Sequence, residues 1–82
     1  MSEEKIKITD FSVINPAVPK YKSWDINGYY VPNTRGTLTD SVRHLIKILK
    51  SRRYRNLKEG FSEAADREDK EIVFMQKLLK VL

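Results

Sequence analysis

Lys22-Ser23-Trp24-Asp25-Ile26-Asn27-Gly28-Tyr29-Tyr30-Val31 is the stretch that decides the fold of the first half of this chain. Asn-Gly is the favoured pair for a two-residue type I′ turn, because both central positions need positive φ. With Asn27 and Gly28 in the turn, Ile26 opposes Tyr29 and Trp24 opposes Val31. These four side chains then share one face of a β-hairpin, while Ser23, Asp25 and Tyr30 take the other. Pro32-Asn33 ends it. Upstream, Lys5-Ile6-Lys7-Ile8-Thr9 alternates charged and apolar residues, which places Ile6 and Ile8 on one face of another strand. Phe11 and Val13 continue with the phase shifted by one, which suggests a bulge or bend near Asp10. Asn15-Pro16-Ala17-Val18-Pro19 reads as a loop, since neither proline can donate to a central ladder.

Downstream of the hairpin the period lengthens. Val42, Leu45, Ile46 and Leu49 fall at i, i+3, i+4 and i+7, the apolar stripe of an amphipathic helix. Thr39 or Asp40 can cap its start, and it is expected to run to about Ser51. Arg52-Arg53-Tyr54-Arg55 reads as a short connector. Asn56, with Glu59 three residues later, is a variant of the capping box and opens a second helix. Leu57, Phe61, Ala64, Ala65, Ile72, Met75, Leu79 and Leu82 mark its apolar face, Gly60 weakens its first turn, and Glu68 interrupts the stripe. The expected architecture is α+β, an N-terminal antiparallel β-hairpin or three-stranded sheet followed by two α-helices. The 82 residues form one small domain, β-rich over 1–33 and helical over 34–82.

A chain this short buries only about 60% of the surface its unfolded form exposes, so a homodimer or a docked partner is expected. There is no cysteine, which removes disulfides and thiolate metal sites. The start Met1-Ser2-Glu3-Glu4-Lys5 is charged and unlike a signal peptide, and no run approaches the roughly 20 apolar residues of a membrane span. A soluble, cytoplasmic protein is the expectation. The net charge of +5 raises the prior for a polyanionic partner.

The charge is unevenly placed. Arg43, Lys47, Lys50, Arg52, Arg53, Arg55 and Lys58 follow one another with no intervening Asp or Glu. Glu59, Glu63, Asp66, Glu68, Asp69 and Glu71 come next, against only Arg67 and Lys70. The seven cations suit a nucleic-acid backbone, DNA in preference to RNA, helped by the free amides at the start of the second helix. The competing reading is a solvated helix face that pairs with the acidic helix.

Other constellations carry less. Tyr21, Trp24, Tyr29 and Tyr30 lie near Lys20 and Lys22 and could stack single-stranded bases, but the hairpin pairing assigns Trp24 and Tyr29 to a core. His44 is the only histidine and has no companion at metal-ligand spacing, so neither a metal nor a catalytic dyad is expected. The carboxylates after Glu59 lack the order of a calcium loop. No phosphate loop or nucleophile motif appears, so no cofactor and no enzyme activity are expected. From Ile72 to Leu82 the chain is apolar on more than one face. Ile72, Phe74, Met75, Leu78, Leu79 and Leu82 are therefore either core or a dimer or partner seam. The rival function is accordingly a non-enzymatic protein-interaction module, a phage-type inhibitor or assembly subunit that docks on an acidic protein surface.

Leu45-Ile46-Lys47-Ile48-Leu49-Lys50-Ser51-Arg52-Arg53-Tyr54-Arg55-Asn56-Leu57-Lys58-Glu59 resembles the helix–turn–helix segment of ribbon-helix-helix antitoxins of the ParD type. The likeness extends over about residues 38–82, through Glu63, Ala64, Ala65, Glu68 and Glu71. Arg53 stands where that family has its turn glycine. The resemblance implies a dimeric DNA-binding regulator of transcription. It also implies a strand over Thr34-Arg35-Gly36-Thr37-Leu38-Thr39, with Arg35, Thr37 and Thr39 facing the major groove.

Overall fold

A computed structural model of the chain describes residues 5–11, 22–34 and 36–82. The proline loop over 15–19, Val13, Lys20, Tyr21 and Arg35 lie outside the described residues. The fold is α+β: three short strands form one sheet and two helices follow. Strands β1 (Lys5–Ile8), β2 (Ser23–Ile26) and β3 (Tyr29–Pro32) lie in the order β1-β2-β3. Helices α1 (Leu38–Lys58) and α2 (Ser62–Val81) complete the chain. It divides into two compact units, one with the sheet and the start of α1 to Ser41, the other spanning Val42–Val81.

The hairpin forms in the expected register, with Trp24 opposite Val31 and Ile26 opposite Tyr29. Asn27 and Gly28 have φ of 52° and 92°, both positive as the type I′ turn demands. The Asp25 carboxylate closes the turn by accepting from the Gly28 amide at 3.1 Å. Beyond the strands, the Asn33 amide donates to the Lys22 carbonyl at 2.7 Å.

One expectation fails. The sheet is not antiparallel throughout, because β1 runs parallel to β2, with Ile6 beside Trp24 and Ile8 beside Ile26. Alternation in Lys5–Ile8 reports which face a residue occupies and is silent about strand direction. A parallel neighbour needs a crossover of about a dozen residues or more, and positions 9–22 are long enough to supply it. The Asn27 amide reaches the Ile8 carbonyl at 2.6 Å and ties the turn to the end of β1. The rungs Ile6–Trp24–Val31 and Ile8–Ile26–Tyr29 put the apolar side chains on one face. Ile8, Trp24, Ile26 and Val31 are all buried there. Lys7 and Tyr30 are exposed on the other face, flanking a half-buried Asp25.

Helix α1 starts at Leu38, two or three residues earlier than the proposed caps Thr39 and Asp40 suggest. Thr37 is the cap: its hydroxyl accepts from the Asp40 amide at 3.1 Å, and Ser41 Oγ donates to the Thr37 carbonyl at 3.1 Å. Asp40 lies in the first turn, where its charge complements the helix dipole. The strand implied by the antitoxin resemblance is absent here, since Thr37 caps and Leu38 and Thr39 are helical.

The other end of α1 differs more. Arg52-Arg53-Tyr54-Arg55 is no connector; the helix runs through it to Lys58. No glycine or proline stands between Leu38 and Lys58, and Arg, Leu and Lys are strong helix formers. The stop is Gly60, at φ 85°. Its amide donates to the Leu57 carbonyl at 3.2 Å, and the Phe61 amide donates to the Asn56 carbonyl at 2.7 Å. That pair of bonds is the Schellman closure of a helix C-terminus. Gly60 thus ends the first helix and does not weaken the second, which begins at Ser62. Asn56 and Glu59 form no capping box. Leu57 and Phe61 leave the expected apolar face and are 50% and 57% exposed.

Within the unit Val42–Val81 the core takes Val42, Leu45, Ile46 and Leu49 from α1, and Ala65, Ile72, Met75 and Leu78 from α2; Leu38 is buried in the other unit. Ile72, Met75 and Leu78 were candidates for a dimer or partner seam. They are 6%, 0% and 0% exposed within the single chain and belong to its core. Phe74, Leu79 and Leu82 are half-buried.

Candidate nucleic-acid interface

All seven predicted cations stand on one helix, and all are exposed. Because α1 does not break at Ser51, its phase of about 100° per residue decides where each one points. Arg43, Lys47, Lys50 and Lys58 fall within an arc of about 80°, opposite the buried stripe. Tyr54 lies in the middle of that arc, one turn after Lys50 and one before Lys58. Arg55 sits at one flank. Arg52 and Arg53 turn toward the side on which Leu45 and Leu49 are buried, and so leave the row. A helix ending before Arg52 would leave the seven free to form one surface; the continuous helix divides them.

Arg53 has a partner. Its Nε lies 3.4 Å from Asp69 Oδ1 on α2, with the side chains 45% and 52% exposed. One turn on, Asn56 Nδ2 donates to Glu68 Oε1 at 2.7 Å. This bond explains why Glu68 interrupts the apolar stripe of α2. Asn56 continues the α1 stripe beyond Leu49, and Glu68 sits between the buried Ala65 and Ile72 on α2, so the pair is a polar break in the packing. Lys70 and Asp66 approach to 3.8 Å within α2. Among the described residues, Arg53 is the one member of the seven that forms an ion pair. The acidic helix meets the basic one through the Arg53–Asp69 ion pair and the Asn56–Glu68 hydrogen bond, and the row of Arg43, Lys47, Lys50 and Lys58 forms neither.

The end of this helical pair is unusual in its exposure. Leu49 is the last buried residue of α1, and Ala65 is the first of α2. Between them no residue is buried, and only Asn56 and Ala64 are even half-buried. The last two turns of α1 are thus held by backbone hydrogen bonds, the Gly60 closure and the two side-chain links to α2. They bury almost no apolar surface. An open groove on this tip is lined by Lys50, Ser51, Tyr54, Arg55, Lys58 and Glu59.

Such a row has an energetic cost. Arg43–Lys47, Lys47–Lys50, Arg52–Arg55 and Arg55–Lys58 are like-charge neighbours at i+3 or i+4, and each such pair destabilises a helix by roughly 0.2–0.5 kcal/mol. Arg55 and Lys58 recover part of this by sitting in the last turn, at the negative end of the helix dipole. Counter-charges held along the row would relieve the rest.

Tyr54 is the residue that sequence reasoning missed. The spacing Arg43, Lys47, Lys50, Tyr54, Lys58 is legible as a helical row only once the helix is carried through Arg52–Arg55. The aromatic residues nominated earlier are placed otherwise. Trp24 is buried, Tyr29 is half-buried, and Tyr30 is 67% exposed on the polar face of the sheet. Among the described residues no group of three or more His, Asp or Glu is placed to hold a metal ion, and no helix is long and apolar enough to cross a membrane. No family model, curated protein or solved structure matches the chain.

Proposed function

We propose that the protein binds nucleic acid, DNA before RNA, along the cationic face of α1. The observation that carries this reading is the row Arg43, Lys47, Lys50 and Lys58 on one exposed helix face, unneutralised by the acidic helix beside it. Phosphate contacts of this kind fix position and supply salt-sensitive affinity without reading sequence. A regulatory role, the implication of the antitoxin resemblance, is carried here by those contacts alone. Residues 37–39 are the cap and start of a helix where that family would read bases with a strand.

The rival, a module docking on an acidic protein surface, drew its support from surplus apolar residues after Ile72. Of the residues left over from the stripe, Leu78 is core and Phe74 is half-buried, while Val73 and Val81 are 42% and 54% exposed and still support it. A homodimer stays in the proposal on the seam residues the core leaves half-buried, Phe74, Leu79 and Leu82. Sedimentation at the single-chain mass of 9.6 kDa throughout the micromolar range would remove it.

Binding of a labelled mixed-sequence DNA duplex, followed by anisotropy, tests the site. Reversing Lys47 alone to Glu removes most of the binding, whereas reversing Arg52 alone leaves most of it. Equal losses from the two variants would show that overall charge, and not the row, drives association.

A further inference from the structure

Phosphate binding leaves Tyr54 unexplained. Its side chain is 69% exposed in the centre of the cationic row. Lys50 and Lys58 stand one helical turn to either side, and the groove they line with Tyr54 also takes in Ser51, Arg55 and Glu59. Leu57 and Phe61, 50% and 57% exposed, add apolar surface at the same end of α1. None of these three side chains serves the core. A phenol on a phosphate backbone contributes one hydroxyl hydrogen bond, and the stacked bases of a duplex present no face to it. The face of an aromatic ring finds a partner where a base is unstacked and splayed outward. Cations that track the backbone, with an aromatic ring set among them, form the combination that holds single strands.

We infer that the tip of the helical pair is a stacking platform for an unpaired base, with Tyr54 as its ring. The preferred ligand is then single-stranded DNA, or a duplex carrying a single-stranded segment. This rests on the nucleic-acid reading of α1 and narrows its substrate class. Lys50 and Lys58 hold the phosphates flanking the stacked base, and Leu57 offers apolar contact beside it.

The test compares one labelled mixed-sequence oligonucleotide, free and annealed to its complement, at a single salt concentration. The proteins are wild type, Tyr54→Phe and Tyr54→Leu. Position 54 is exposed and Leu is a good helix former, so both variants fold, and matching circular dichroism verifies it. Wild type binds the single strand more tightly than the duplex. Tyr54→Leu weakens single-strand binding by about 5-fold or more, the lower end of the effect of losing one stacked base, and leaves duplex binding within about 2-fold. Tyr54→Phe retains single-strand affinity. Equal effects of Tyr54→Leu on both forms, or none on either, overturn the stacking platform while leaving phosphate binding intact. Absence of binding to both forms by wild type overturns the nucleic-acid reading as well.

Discussion

Gly60 shows how much one residue settles in this chain. At φ 85° it takes a conformation that costs an L-residue about 1–2 kcal/mol, and it does so where α1 must stop. Gly60→Ala is expected to lower stability by about that amount in urea unfolding, with DNA affinity little changed, because no cation of the row moves. Asn56 and Glu68 make a second residue-scale case. Their 2.7 Å bond joins the helices beyond Leu49, the last buried residue of α1. A double-mutant cycle with Asn56→Ala and Glu68→Ala is expected to return a coupling of about 0.5–3 kcal/mol, and a value near zero would show that the bond is solvent-screened and idle. Neither partnership is visible in sequence. Asn56 followed by Glu59 looks like a helix start, and only the position of Gly60 tells that it belongs to a helix end.

At the scale of elements, α1 has two halves of different character. Leu38 to Leu49 holds five buried apolar residues, and Lys50 to Lys58 holds none. Amide exchange should follow this division, fast over 50–58 and slow over 42–49, since local opening follows the density of buried contacts. Uniform protection along α1 would mean that something other than burial holds its end. In α2 the contrast lies between faces. Met75→Ala is expected to cost about 2–5 kcal/mol as a fully buried deletion, whereas Val73→Ala should stay within about 0.5 kcal/mol. The strands and helices were legible in the sequence because their apolar periods of 2 and 3.6 are strong, and Asn27-Gly28 fixed one register outright. The direction of β1 was not, because a parallel and an antiparallel neighbour present the same alternation. The extent of α1 was misjudged because Arg52–Arg55 is polar all round, so periodicity fell silent while helix propensity did not.

Over the whole molecule, the charge asymmetry of the sequence survives folding in a specific form. Seven consecutive cations had suggested one broad surface. The helix sorts them into a row of four with Tyr54 among them, a flanking Arg55, an Arg53 held by Asp69, and an Arg52 turned away. The run of cations was legible in the sequence, and its division around the helix was not, since helical phase beyond Ser51 was needed to sort it. The apolar C-terminal segment was read with two open roles, and burial assigned Ile72, Met75 and Leu78 to the core.

The claim that the row on α1 is a phosphate-binding face is tested most directly by the salt dependence of duplex DNA binding. Four to five neutralised phosphates predict a slope of about −4 in log affinity against log salt, and Lys47→Ala alone should make it shallower by about 1. A flat dependence, or a slope that Lys47→Ala leaves untouched, would contradict the assignment.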